Sequence, residues 1–381
     1  MGSGGDFTTS ALYNDDFTNV SRSTNYNYMP PFDEVAVVVS ATLLLPMMLF
    51  GIFANILTIC VITKSKNLRT STFNLFIASL CVSDFISALI SPLFLYRRTW
   101  GFDDWKISNF LCKFFWGADN GTSLSTSLHI LIFAFLRFYS STWPFRYKEF
   151  KVKHAQICIG CIWLVAITCG FIPFFVWMNA RKMNRNVLSQ ETGWPSCTID
   201  LHWFENFKTY AVAGYAVFFY TPMVLILLLS IGVTVIMYYR RFKRKAQSHP
   251  EGKNVSSNAE VRRRRKEHQA FVQLYLIVGS FMLGYIPHTA YHIYGTTTKA
   301  VTREDEIFHW WFGMSEYLCL RFSECLNPVF YNLASSKMRK KTKKQLAKMF
   351  GCLSVAGNCN HNMSDSSAAS TKTEKTKDSA V

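Results

Sequence analysis

Residues 35–62 read VAVVVSATLLLPMMLFGIFANILTICVI, an apolar run without a single charged side chain. At about 1.5 Å of rise per residue, a helix of this length crosses the roughly 30 Å hydrocarbon core of a bilayer. Six further runs of similar length follow, near 72–96, 109–136, 155–178, 209–238, 269–295 and 308–333. A water-soluble globule has no use for seven such segments. The expected fold is therefore an all-α membrane protein, a bundle of seven transmembrane helices in which each backbone satisfies its own hydrogen bonds.

Orientation follows from where lysine and arginine collect. The connection after span one carries Lys64, Lys66 and Arg69, and that after span three carries Arg146, Lys148, Lys151 and Lys153. The connection after span five runs from Arg240 through Lys245 to the basic block 262–266, and a further basic stretch, Lys337 to Lys348, lies behind span seven. Basic flanks mark the cytoplasmic side, so the N-terminus is expected outside a multi-pass protein of the cell membrane. The opposite connections mix signs: Arg97 and Arg98 stand near Asp103 and Asp104, and Lys299 and Arg303 near Glu304, Asp305 and Glu306. The net charge of +17 thus describes one membrane face. No zinc-ligand spacing or glycine-rich recognition loop accompanies it, which argues against nucleic acid as partner.

Residues 1–34 are polar and hold no run of signal-peptide type, so span one is expected to act as an uncleaved anchor behind an extracellular tail. The triplet Asn19-Val20-Ser21 is an accessible glycosylation sequon on that tail. Most of the eleven cysteines fall within spans, as small apolar packing residues. Cys112, at the outer start of span three, and Cys197, in the long outer loop, are placed to form a disulfide in an oxidising compartment. Such a bridge would fold that loop over the mouth of the bundle.

The polar groups inside the spans carry the functional argument, because each is costly in hydrocarbon unless a partner faces it. In chain order they and the helix-breaking residues are Asn55, Asp84 in Leu80-Cys81-Val82-Ser83-Asp84, Trp105 with Cys112, Asp119, Arg137, Trp163, Pro222, Phe281 with Pro287, and Asn327-Pro328-Val329-Phe330-Tyr331. That set resembles the rhodopsin-like class of G-protein-coupled receptors over roughly residues 35–352. The resemblance implies a receptor domain at 35–335, a ligand pocket at its outer end, and nucleotide exchange on a heterotrimeric G protein. It names Arg137, Pro222, Glu267, Phe281, Pro287, Pro328 and Tyr331 as activation switches, with Arg137 reaching Glu267 as a closed-state tether. It also implies a sodium site at Asp84, Thr126, Ser323 and Asn327, to which Glu324 adds a second carboxylate. No other cofactor is expected, nor is the catalytic triad or ligand cluster of an enzyme present.

Asp119 is the sharpest clue to a ligand. In amine receptors the corresponding carboxylate holds the ligand ammonium, and the segments Pro195-Ser196-Cys197-Thr198-Ile199 and Phe219-Tyr220-Thr221-Pro222 look most like the muscarinic and histamine branches. The pocket lining would be Asp119, Tyr215, Phe219, Tyr285, His288, Tyr317 and Arg321, an aromatic cage for a small extracellular cation. Arg321, however, stands where amine receptors place a tyrosine. An Asp119–Arg321 ion pair would neutralise the anchor, leaving a peptide or other non-amine ligand, or an atypical receptor with constitutive or silent signalling. Glu324 likewise belongs either to the cation site or to a pair with Arg321. An opsin is excluded, since retinal needs a lysine there and a guanidinium is no substitute.

The chain departs from the family where signalling is concerned. Phe135-Leu136-Arg137-Phe138-Tyr139 lacks the acid that usually precedes the arginine, and Gly284-Tyr285-Ile286-Pro287 puts a tyrosine in place of a tryptophan. Past Tyr331, apolar positions recur at helical spacing among lysines, so 336–351 is expected to be an amphipathic helix on the anionic lipid of the inner leaflet. Cys352 is a candidate palmitoylation site. The Ser/Thr/Lys-rich segment 352–381 is expected to be a disordered cytoplasmic tail whose phosphorylation would recruit arrestin.

Overall fold

A computed structural model describes residues 29–182, 194–247, 258–298 and 302–362. Seven long helices form a bundle: α1 (Glu34–Lys64), α2 (Thr72–Arg98), α3 (Asn109–Thr142), α4 (Val152–Trp177), α5 (Leu201–Gln247), α6 (Asn258–Thr297) and α7 (Arg303–Ala334). Local sequence sets several boundaries. The Asp33 carboxylate accepts from the Ala36 amide at 2.8 Å to start α1, Ser108 caps α3, and Thr302 with Asp305 forms a reciprocal capping box at α7. The α6–α7 connection places three acids, Glu304 to Glu306, in the first turn of α7, where the helix dipole favours them.

Six of these helices are long and apolar enough to cross a membrane by length and composition. The remaining one, α7, spans 32 residues but carries Glu316, Arg321, Glu324 and Asn327 on its buried face, which lowers its hydropathy. It packs against α6, α1 and α2, while α3 runs through the centre against α2, α4, α5 and α6. Large apolar side chains point outward instead: Leu49 and Phe53 on α1, Ile157 and Leu164 on α4, Val224, Leu228 and Ile231 on α5. An apolar exterior around a polar-seamed interior is the arrangement a lipid solvent selects.

Two helices widen into a π-turn. In α4 it covers Ala166–Phe171, just before Pro173, and in α5 it covers Ala216–Tyr220, just before Pro222. Proline lacks the amide that would bond one turn back, so the preceding turn relaxes to the longer spacing. On α4 this coincides with a close backbone approach. A Cβ on Gly170 would lie 2.8 Å from Gly121 Cα and 3.1 Å from the Asn120 carbonyl, so only glycine lets α3 and α4 meet there. On α5 the turn sits beside Tyr215 and Phe219, both buried.

The outer mouth is covered by an antiparallel hairpin of β1 (Met178–Ala180) and β2 (Cys197–Ile199), pairing Met178 with Ile199 and Ala180 with Cys197. A Cys112–Cys197 disulfide ties it to the start of α3, and Ser196 bonds Gly101 O at 2.6 Å and, through its amide, Phe102 O at 2.7 Å. Behind α7 a helix α8 (Ser336–Asn362) begins where the amphipathic segment was expected but continues beyond 351. Composition changes at 351, but no proline follows to stop the helix.

Candidate ligand pocket and transmission core

Beneath the hairpin the bundle holds a connected set of buried charges. Arg321 on α7 is 2% exposed and donates through Nη2 to Asp119 Oδ1 on α3 at 2.5 Å and through Nη1 to Glu324 Oε2 at 2.7 Å. Ser87 on α2 donates to the same Glu324 oxygen at 2.7 Å. The guanidinium lies 4.4 Å from the centre of the Tyr317 ring, which stacks on Phe94. A planar fork with five donors suits this position, because one side chain must bridge two carboxylates and an aromatic face. One turn above, Glu316 accepts from or pairs with His288 Nδ1 at 3.0 Å.

The aromatic lining is packed rather than open. Tyr215 stacks on His292 at 3.6 Å and meets Asn120 Oδ1 through its hydroxyl, while Tyr220 Oη bonds His292 Nδ1 at 2.9 Å. Phe219 contacts Tyr285 and His288. Tyr285 stacks on Phe281 at 4.2 Å and donates to the Ser123 carbonyl at 2.8 Å, tying α6 to α3. Pro287 interrupts α6 two residues farther on.

Farther in, Asp84 accepts from Asn327 Nδ2 at 3.0 Å and from Thr126 Oγ1 at 3.4 Å. A small cavity of about 10 Å³, room for about one water, opens among Asn55, Asp84, Arg321 and Glu324. Asn55 Oδ1 and Glu324 Oε1 are buried without a hydrogen-bond partner among the described residues. These are hard oxygen donors of the kind a small cation takes. The Ser323 carbonyl accepts from Ser280 at 2.8 Å, and the residue's side chain lies beside Gly284.

At the inner end Arg137 departs from the expected tether. Its described partners are Gln273 Oε1 at 3.3 Å and the Phe73 ring at 4.2 Å, not Glu267. Gln273 lies six residues farther up α6 than Glu267, at the height of the α3 guanidinium. With no acid beside Arg137, the side chain tucks inward over Phe73 instead of being held at the cytoplasmic edge. Tyr331 and Pro328 are buried in α7, and Ser230 spends its hydroxyl on the Ile226 carbonyl one turn back.

The chain matches the "7 transmembrane receptor (rhodopsin family)" profile over residues 54–331. It belongs to that family. The receptor is therefore a multi-pass membrane protein that transduces through G proteins and is not an enzyme. It is similar to growth hormone secretagogue receptor type 1 of Sus scrofa, with 26% identity over 298 residues, covering 78% of this chain and 77% of that protein. The Homo sapiens protein of the same name is 26% identical over 294 residues, 76% of this chain and 75% of that one. The D(1B) dopamine receptor of Rattus norvegicus is 25% identical over 277 residues, 66% of this chain and 57% of that one.

Some functional groups escaped the reading by sequence. By sequence Arg97 and Arg98 belong to a mixed-sign outer connection, but they close α2 and are 8% and 4% exposed. Glu316 and Ser87 were passed over as well. Glu316, like Arg321, is an ionisable residue inside a span, and that rule alone marks it; Ser87 has no such signal. Asn19 and the serines and threonines from Ser364 to Thr376 lie outside the described residues, and the Cys352 side chain is likewise not described.

Proposed function

We propose that the receptor takes a non-amine ligand, a peptide or another small molecule, at the outer end of the bundle, and that Asp119 serves the bundle rather than a ligand ammonium. The observation that carries this is the 2.5 Å contact between Asp119 and Arg321. An amine entering the pocket would have to displace a guanidinium that already satisfies the carboxylate by a short charge-assisted bond. The similarity to a receptor named for growth hormone secretagogues, over three quarters of both chains, supports a ligand outside the amine class. The similarity to a receptor named for dopamine favours the amine reading and keeps it as the competing one.

In this reading ligand binding at the outer end shifts the equilibrium of α6 against α3, through Tyr285 and its bond to Ser123, toward a state that engages a heterotrimeric G protein. Asp84, Thr126, Ser323, Glu324 and Asn327 would hold a sodium ion, with Asn55 beside them, and its role is electrostatic support of the inward-packed arrangement. On the cytoplasmic side α8 would lie on anionic lipid, with Cys352 palmitoylated, and the phosphorylated tail would recruit arrestin. Asn19 would carry a glycan.

The test is a panel of biogenic amines, choline esters and secretagogue peptides on cells expressing wild type, Asp119→Asn, Arg321→Tyr and the double variant. The reading expects no amine response in wild type, low surface expression of Asp119→Asn, and partial rescue by the second substitution. An amine response in wild type that is lost selectively in a well-expressed Asp119→Asn establishes the amine receptor instead.

A further inference from the structure

Arg97 and Arg98 occupy the last turn of α2, at the outer end of the bundle, and both are buried. Neither forms an ion pair with any described carboxylate. Arg97 donates through Nε to the Cys197 carbonyl of the hairpin at 2.7 Å and lays its guanidinium 4.4 Å over the Trp116 ring, and among the described residues its two terminal nitrogens have no acceptor. Arg98 donates through Nη2 to the carbonyls of Trp310, at 2.9 Å, and His309, while its Nε is buried and unpartnered. Asp119, the acid whose field reaches Arg97, is already held by Arg321.

The two cations are accommodated rather than merely tolerated. A Cβ at position 313 of α7 would fall 2.1 Å from Arg98 Nη2 and 2.7 Å from the Tyr291 hydroxyl. The glycine leaves the space in which α7, α6 and α2 bring a guanidinium and a phenol together. Tyr291 Oη in turn reaches His309 Nδ1 at 3.4 Å. Burying two adjacent guanidinium groups against carbonyls and aromatic rings, with no ion-pair partner among the described residues, leaves a standing demand for an anion.

We propose that Arg97, supported by Arg98 and Tyr291, forms a subsite at the pocket mouth that binds the carboxylate of the receptor's ligand. The subsite rests on the non-amine reading of the pocket and narrows it to acids. Its terminal nitrogens match the two oxygens of a carboxylate side by side, and the Trp116 face and the Cys197 carbonyl fix the plane in which they are offered. A free acid and the C-terminus of a peptide carry the same group, and both fit.

Three isosteric probes test this on the purified full-length receptor in detergent, at matched ionic strength: benzoate, benzamide and benzylammonium. Benzoate is expected to raise the melting temperature saturably, whereas benzamide at equal concentration leaves it unchanged. Arg97→Gln should abolish the benzoate shift, and Gly313→Ala, which displaces Arg98, should weaken the apparent affinity about tenfold. Arg97→Lys keeps the charge but loses the fork, and serves if Arg97→Gln does not fold; it should also lose about tenfold. Equal responses to benzoate and benzamide, or a benzoate shift retained in the arginine variants, overturns the subsite. A benzylammonium shift that disappears in Asp119→Asn overturns the non-amine reading instead, whatever benzoate does. Peptides with free and amidated C-termini, compared on wild type and Arg97→Lys, separate the two sources of the acid: selective loss of the free-acid peptide marks a peptide ligand, and unaltered peptide responses with a lost benzoate response mark a small acid.

Discussion

Replacing Arg321 by methionine tests the charged core most directly. The guanidinium is 2% exposed and bridges Asp119 at 2.5 Å and Glu324 at 2.7 Å. Without it, Asp119 and Glu324 lose their shared counter-charge and face each other's field, and Glu324 keeps the Ser87 hydroxyl as a donor. Removing one member of a buried pair costs about 3–5 kcal/mol, and Arg321→Met removes the ion-pair partner of two carboxylates at once. Asp119→Asn is milder. Arg321 keeps Glu324, so the loss is nearer that of one charge-assisted hydrogen bond, about 1.5–3 kcal/mol. The double variant should fall short of the sum of the single losses by about 1–3 kcal/mol, since the second substitution removes a group the first had stranded. Thermal unfolding of the detergent-solubilised receptor, with surface expression alongside, measures all three. An Asp119→Asn loss as large as that of Arg321→Met, or additivity within about 0.5 kcal/mol, would refute the bridging role of the guanidinium.

Cys112→Ser should destabilise the receptor by up to about 4.6 kcal/mol, the loop-closure value for a separation of 85 residues, and should be matched by Cys197→Ser and by the double variant; unequal losses in thermal unfolding would argue that the thiols act separately. Gly170→Val forces a side chain onto Gly121 Cα, and the α3–α4 contact should lose about 1–3 kcal/mol, read as reduced thermal stability. Gln273→Leu removes the acceptor of Arg137 and should raise ligand-independent G-protein dissociation by up to about tenfold, the equivalent of about 1.4 kcal/mol; basal signals equal to wild type would exclude Gln273 as a restraint. Arg321→Lys should stay well below wild type in thermal stability, because one ammonium cannot present a planar fork to two carboxylates.

Seven spans, their orientation and the family were legible because a bilayer imposes rules that a single sequence can satisfy or fail: about twenty apolar residues per crossing, basic flanks inside, and few polar interruptions. The ionisable and amide interruptions stand out for the same reason, and Asp84, Asp119, Arg321 and Asn327 all lie inside the bundle, whereas Ser87 gives no such signal. Which partner each of them takes was not legible. Asp119 and Arg321 lie on different helices, and only the rotation and height of α3 against α7 decides whether the carboxylate meets a guanidinium or an empty pocket. The same holds for Arg137, whose acceptor is Gln273 because α6 presents that residue, rather than Glu267, at the level of α3. Arg97 and Arg98 show the limit from the other side. Read along the chain they balance Asp103 and Asp104 in a connection, but α2 extends to Arg98 and turns both cations against the hairpin and α7, where among the described residues neither forms an ion pair. Hydropathy fixes where helices cross, since burial in lipid depends on each segment's own composition. Pairing of charges inside depends on the relative placement of segments hundreds of residues apart, and that is set by packing.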